Sequence, residues 1–322
     1  MEGINKIFCG TDVRNTGVCD CYFDPQLITG AILVPLKTIF TNEQLKDINI
    51  QATLENLAFA DSKGQRIFPM GDFVGITLNS EDPTRQTFGY GSSRTVREGN
   101  YDWTLQFYKG GVNLSNALRT FNGLIGKYGV IFIESQNYLI GTSKKLANGQ
   151  YGMAPIPLED LYTRPWAPSD GTNVASYQTQ YVFKPIYINQ NIAFKKVDTS
   201  AYLLSELKGL EDFALEIIEV DGATLTVGAA SGCGSTDLYE EYADELAVAA
   251  AWIAKDEDGA NLAIASVVKN DAAGGWNVTL TSGVWEDGDT LTLVAPSVLD
   301  GTYGISGYEA GTVTVEFAES SS

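Results

Sequence analysis

Four cysteines and forty carboxylates are the side chains of this 322-residue chain with the widest chemical scope, and their spacing gives them little to do. Cys9, Cys19 and Cys21 form a C-x9-C-x-C cluster, and Cys233 stands alone. Paired C-x2-C knuckles would signal zinc, whereas one C-x-C with a single distant partner does not. The four therefore read as free thiols, with a disulfide or a metal clip as the alternative. The chain contains no histidine. Histidine is the one side chain whose unperturbed pKa lies near neutrality, so Ser-His-Asp and Cys-His hydrolysis and the histidine-ligated zinc and iron sites are excluded. Carboxylate, lysine and tyrosine chemistry stay open. Asp256-Glu257-Asp258-Gly259 begins like a calcium loop, but Ala260 stands at the fifth position and Val267 at the twelfth, so a solvated turn is expected. Glu240-Glu241 and Asp244-Glu245 resemble the carboxylate pair of a glycoside hydrolase, yet such neighbours arise by chance where 22 carboxylates share residues 201–322. Gly89-Tyr90-Gly91 lacks the third glycine of a dinucleotide fingerprint. Gly126-Lys127 is followed by Tyr128, with Phe121 in place of the first P-loop glycine. No catalytic, cofactor-binding or metal-binding residue is expected, and the chain reads as a non-enzyme.

The elements around these residues are mostly strands. A chain of this length has room for about two domains, each with its own core. Its 44% hydrophobic and 19% charged residues are those of a globular protein. Abundant Gly, Tyr and Phe with scarce Met favour strands and turns over helix bundles. In the first 200 residues, Trp103-Thr104-Leu105-Gln106-Phe107 alternates as a half-buried strand does. A helix opened by Asn113 as N-cap follows, with Leu114, Ala117, Leu118, Phe121, Leu124 and Ile125 on one stripe and Gly126 or Gly129 to end it. Next comes a buried strand, Val130 to Glu134, then a strand over Asn137 to Gly141. Asn148-Gly149 signals a hairpin turn. Gln178 to Ile188 alternates again, with Tyr181 and Phe183 on one face. Thr41-x-x-Gln44 has the form of a capping box ahead of a helix carrying Leu45, Ile48 and Ala52. The expected body is α+β: a mostly antiparallel sheet with one or two packing helices. Between Glu81 and Asn100 a Gly-, Ser- and Thr-rich segment with Arg85, Arg94 and Arg97 reads as a long surface loop, able to pair with carboxylates on a neighbouring subunit.

The net charge of −19 is confined to the last third. Residues 1–200 carry 18 basic and 18 acidic side chains; residues 201–322 carry Lys208, Lys255 and Lys269 against 22 acids. That break places a domain boundary near Gly209, giving domains 1–209 and 210–322. An acidic surface is a poor ligand for nucleic acid and favours solubility and dispersion. The second domain shows short strand-like runs punctuated by Asp221-Gly222, Asp258-Gly259, Asp287-Gly288 and Asp300-Gly301, with a last strand over Thr312 to Phe317. About seven strands with turns so spaced suit an immunoglobulin-like sandwich. The two cysteines that flank a tryptophan in antibody domains are absent.

The order of strand, Gly-Gly turn, amphipathic helix, apolar strand and hairpin from Trp103 to Ile140 resembles the core of bacteriophage major tail tube proteins. The resemblance implies a mainly β fold: an antiparallel β-sandwich or barrel with a flanking helix, plus a C-terminal immunoglobulin-like domain. It implies a non-enzymatic virion subunit whose partners are copies of itself in hexameric rings, around a channel through which DNA passes without specific binding. A tube lumen of that family would be acidic, here through residues such as Glu98, Asp102 or Glu134. No secretory signal or membrane-spanning run is evident, so assembly in the host bacterial cytoplasm is expected. The alternative is a head decoration, head fibre or other surface-binding protein gripping partners through Tyr239, Tyr242 or Tyr303. Repeats and coiled-coil heptads, which a trimeric fibre would show, are missing.

Overall fold

The computed structural model describes residues 4–6, 27–70, 73–107, 111–124, 126–172, 175–231 and 236–316. The four cysteines, Ile125 and Phe317 lie outside them. The chain divides into two units, Met1–Ala58 with Ser62–Lys208, and Gly209–Ser322 with Phe59–Asp61. Both are built mainly from antiparallel strands. Among the described residues no helix is long and apolar enough to cross a membrane.

The strands of the first unit are β1 (Asn5–Lys6), β2 (Ile28–Pro35), β3 (Phe68–Met70), β4 (Gly75–Ser80), β5 (Thr84–Thr87), β6 (Ser93–Arg97), β7 (Tyr101–Phe107), β8 (Tyr128–Glu134), β9 (Tyr138–Lys145), β10 (Tyr151–Ala154), β11 (Ile156–Pro157), β12 (Asp160–Thr163), β13 (Tyr177–Phe183) and β14 (Ile192–Lys196). Its helices are α1 (Ile50–Ala58), α2 (Gly111–Arg119) and α3 (Ile186–Asn189). One sheet runs β1-β14-β9-β8-β2-β3, with β10 on β9 and β11 on β8; the other runs β12-β13-β7-β4. Between them lies one core. Strict alternation on β13 sends Tyr177, Tyr181 and Phe183 inward, against Leu105 and Phe107 of β7 and Phe132 of β8. The rings interlock: Trp103 meets Phe183 edge-on at 4.8 Å, and Phe107 stacks on Tyr177 at 5.1 Å. Burial pushes the Tyr177 phenol up to about 12. The expected turn at Asn148-Gly149 joins β9 to β10, with Leu146 N–H donating to the Gln150 carbonyl at 2.8 Å.

Local signals misplaced several ends. The Thr41–Gln44 capping box forms: Thr41 N–H donates to Gln44 Oε1 at 2.9 Å and Gln44 N–H to Thr41 Oγ1 at 3.3 Å. Yet residues 42–49 are turns, and α1 starts only at Ile50. Buried Lys195 explains the detour, because its ammonium needs a partner and takes Asp47 Oδ1 at 3.1 Å. The buried stripe is Leu45, Ile50, Leu54 and Ala58; Ile48 is 88% exposed and Ala52 faces solvent, contrary to expectation. Helix α2 begins at Gly111, so Asn113 sits inside it rather than capping it, and ends at Arg119, well short of Gly126. There Asn122 is captured by β12: its Nδ2 donates to the Thr163 carbonyl at 3.1 Å and its Oδ1 accepts from Thr163 N–H at 2.7 Å. Phe121 is turned onto Phe68 at 4.9 Å. The alternation from Gln178 also stops early, at Phe183, because Pro185 lacks an N–H for the ladder and introduces α3.

The second unit holds β15 (Glu211–Asp221), β16 (Thr224–Ser231), β17 (Thr236–Asp237), β18 (Trp252–Lys255), β19 (Asn261–Leu262), β20 (Ile264–Asn270), β21 (Gly275–Leu280), β22 (Thr290–Leu293), β23 (Tyr308–Ala310) and β24 (Val313–Thr314), with α4 (Tyr239–Tyr242) and α5 (Pro296–Tyr303). One sheet has the order β20-β21-β16-β15-β23, with β17 on β16, and the other β19-β18-β22-β24. Without the short strands β17 and β23, these letter along the chain as D-E-B-A and C′-C-F-G, the strand order of an immunoglobulin sandwich. Asp221-Gly222 turns β15 into β16 with Gly222 at φ 56°, a conformation open to glycine without penalty. Asp258-Gly259 closes the hairpin β18–β19, where Asp256 Oδ1 accepts the Ala260 N–H at 2.7 Å. The run expected to continue from Asn261 to Lys269 instead leaves one sheet for the other at Ala263, so that Leu262 and Ile264 both pack on the core. Asp300-Gly301 is no turn. It lies inside α5, which Pro296 opens and Leu299 anchors in the core. The last expected strand is reduced to Val313–Thr314 on β22, followed by buried Val315.

In place of a disulfide the sandwich is pinned by tryptophans. Trp252, first in the C-position strand, lies 5.7 Å from Trp276 on the E-position strand, and Tyr239 meets Trp276 edge-on at 4.9 Å. Each indole N–H is satisfied: Trp252 Nε1 donates to the Leu246 carbonyl at 2.8 Å and Trp276 Nε1 to the Ala243 carbonyl at 3.0 Å. These bonds fasten the crossover between the B- and C-position strands.

Candidate assembly site

The segment from Glu81 to Asn100 is not a loop. Strands β4 and β7 pair from Gly75↔Gln106 to Ser80↔Tyr101 at the edge of the sandwich. The ladder then continues outward: Glu81 N–H donates to the Asn100 carbonyl at 2.8 Å, β5 pairs β6 from Thr84↔Arg97 to Thr87↔Ser93, and Phe88 N–H closes on the Ser92 carbonyl at 2.8 Å. The result is one two-stranded ribbon ending at Phe88-Gly89-Tyr90-Gly91. Every residue from Thr77 to Glu98 is exposed. At a rise of about 3.3 Å per residue the exposed part extends on the order of 40 Å.

A naked two-stranded ribbon is marginal in water, because neither face is covered. What sustains this one is local. Thr84 and Thr87 on one strand and Thr95 and Val96 on the other suit an extended backbone, and the base is locked by the Glu81 carboxylate, whose Oε2 accepts the Asn100 N–H at 3.0 Å. Gly99 completes the lock. A Cβ there would lie 1.9 Å from the Glu81 carbonyl oxygen and 2.4 Å from its carbon, inside the backbone of the opposite strand. Gly99→Ala is therefore expected to unzip the ribbon beyond Ser80 while the sandwich stays intact. Amide hydrogen exchange should accelerate about tenfold or more over residues 81–98, with the thermal midpoint unchanged.

Charge divides the arm. Between Thr84 and Arg97 there are three arginines and no acid, while Glu81, Asp82 and Glu98 sit at the proximal end. Arg97 approaches Glu81 at 4.0 Å with both side chains solvated, so most of the cationic character stays available. Among the described residues strand β4, from which the arm grows, is an edge of its sheet, pairing with β7 on one side, so that its outer side offers N–H and C=O groups.

The other residues singled out from the sequence fall elsewhere. Glu98 is exposed on the arm, and Asp102 is half-buried with Oδ2 accepting Gln180 Nε2 at 2.7 Å. Glu134 is 2% exposed, which corrects its expected place on a channel wall: its carboxylate accepts the Gln136 N–H at 2.8 Å inside the β8–β9 turn. Tyr239 is buried, Tyr242 half-buried 5.9 Å from Tyr308, and Tyr303 half-buried against the core, so none of the three is the exposed gripping aromatic expected. Asp244 is taken by Lys269, whose ammonium donates a hydrogen bond to that carboxylate and has its pKa raised by it. Among the described residues no cluster of three or more Cys, Asp or Glu is placed to hold a metal. That the arm is a pair of strands was not legible in the sequence, because an uncovered ribbon has no apolar alternation; the one signal was β-prone Thr84, Thr87, Thr95 and Val96 around Phe88-Gly89-Tyr90-Gly91.

Comparison with family models, characterised proteins and solved structures finds no match to this chain.

Proposed function

We propose that this chain is a structural subunit of a bacteriophage virion, self-assembling in the host cytoplasm into hexameric rings that stack as a tail tube through which DNA passes without specific binding. The arm carries the reading. A folded ribbon of more than twenty solvent-exposed residues contributes almost nothing to its own sandwich, so its sequence is explained only by a surface it meets in an assembly. The open edge β4 beside it supplies backbone groups for pairing between copies. The tyrosines that a surface-binding protein would have used are committed to the core of the second unit.

Negative-stain electron microscopy of the purified full-length protein, with light scattering on the same sample, tests the proposal. Tubes or six-fold rings are the expected result. A strictly monomeric or trimeric particle at high concentration would overturn it.

A further inference from the structure

Tyr90 stands at the arm's tip with its backbone at φ 69°, ψ 18° and its side chain as open to water as in an unfolded chain, at 109% relative exposure. Among the described residues only Tyr90 and Asn137 are non-glycine residues with positive φ. Asn137 is explained by the core: its amide donates to the Val197 and Tyr202 carbonyls and accepts from Leu204 N–H. Tyr90 touches nothing that would explain it. An L-residue in the left-handed region is disfavoured, whereas glycine adopts that conformation without steric cost. A tyrosine both strained and fully solvated does nothing for folding. Phe88, two residues before it, is 48% exposed on the same tip.

The same unit holds a concave apolar site that fits such a tip. A cavity of about 220 Å³ opens between the two sheets beside β4, lined by Leu27, Ile76, Leu78, Trp103, Ile140 and Ile188. Leu27 is 59% exposed and Leu78 58% at its mouth. An apolar cavity of about 150 Å³ already accepts a benzene ring. Leu78 and Phe88 are ten residues apart along one continuous ribbon, about 33 Å, so a tip cannot reach the cavity at the foot of its own arm.

We propose that the Tyr90 tip of one copy, with Phe88 beside it, plugs the Leu27–Leu78–Trp103 cavity of a second copy. The occupant is another copy of this chain for two reasons. The distal arm carries three arginines and no acid, whereas the remainder of residues 1–200, which holds the cavity, carries 15 basic against 18 acidic side chains, so the arm of one copy is complementary in sign to the body of the next. Knob and hole also lie on different parts of one subunit. Their contact is head-to-tail and leaves a free knob and a free hole at every step, as a ring or a stack of rings requires. The inference rests on the reading of the chain as a self-assembling subunit and names the contact that drives it.

The test places a photo-crosslinking benzoylphenylalanine at position 90 of the full-length protein, with isotope-labelled and unlabelled copies mixed before irradiation. Crosslinked peptides joining position 90 to Leu27, Leu78 or Ile188 of a differently labelled copy are expected. Alongside, the variants F88A/Y90A and Leu78→Asp change only exposed side chains. Each should raise the concentration needed for assembly at least about tenfold, with an unchanged thermal midpoint. Tyr90→Phe should assemble as the parent does. Tyr90→Gly should not, although glycine suits the backbone better. Assembly that forms normally in F88A/Y90A, or crosslinks mapping only within one copy or outside the cavity, would overturn this contact while leaving the tube reading in place. Crosslinks to the cavity of a second copy without tubes or rings would support the contact and sink the tube. Neither assembly nor crosslinks between copies would overturn both.

Discussion

Replacing residues 82–99 by Asn-Gly, which reconnects Glu81 to Asn100 through a two-residue hairpin turn, is expected to abolish assembly and leave a stable, soluble monomer. Glu81 and Asn100 already face each other across the ladder, and Asn-Gly supplies the positive φ that such a turn needs. Every residue removed except Gly99 is exposed, so the thermal midpoint should move by no more than about 2 °C, within the usual range for surface changes. Analytical ultracentrifugation over a hundredfold range of concentration reads the result. Particles of wild-type size in the shortened protein would show that the arm is dispensable, and the strongest support for the assembly reading would be gone.

Trp276→Ala should have the largest effect on stability. Trp276 is fully buried, touches Tyr239 and Trp252 with its ring, and donates its indole N–H to the Ala243 carbonyl. Truncation removes one of the three tryptophans of that core, leaves a cavity between the sheets and deprives the part-buried Ala243 carbonyl of its donor. Aromatic-to-alanine changes of this kind cost about 3–5 kcal/mol. For a domain of this size that lowers the midpoint by more than about 10 °C. Differential scanning calorimetry should show one transition falling by that amount and a second one, from the aromatic core around Phe132 and Tyr181, holding its place. Trp276→Phe keeps ring contacts but loses the hydrogen bond, so a loss of only about 1–2 kcal/mol is expected. A midpoint unchanged in Trp276→Ala would contradict the placement of that residue at the centre of the second core.

How far the sequence carries depends on the range of the interaction that decides each feature. Asp221-Gly222, Asp258-Gly259 and Asn148-Gly149 turn the chain where expected, because a hairpin turn is settled by a few adjacent torsions. The strands over Tyr101–Phe107, Tyr128–Glu134 and Tyr177–Phe183 were legible from alternation or apolar runs, because one residue's side determines its neighbour's. The absence of histidine and the acidic last third are facts of composition, and they bound the chemistry before any fold is known.

Tertiary structure decided the rest, in each case through a partner distant along the chain. Helix α2 stops at Arg119 because Asn122 bonds to Thr163, forty-one residues on, and nothing near Asn122 announces that. The turns before α1 are held by Lys195, which lies 148 residues beyond Asp47. Asp300-Gly301 has the composition of a turn but lies in a helix because Leu299 is drawn into the core. Tyr239 and Tyr90 are the same residue type, each beside a turn; one is buried against Trp276 and the other left wholly in water. Composition and local torsion preference set what this chain can form and where it can turn. Which side chains are buried, and which remain exposed for another molecule, is set by pairings that only the folded chain brings together, since burial depends on what covers a residue and not on the residue itself.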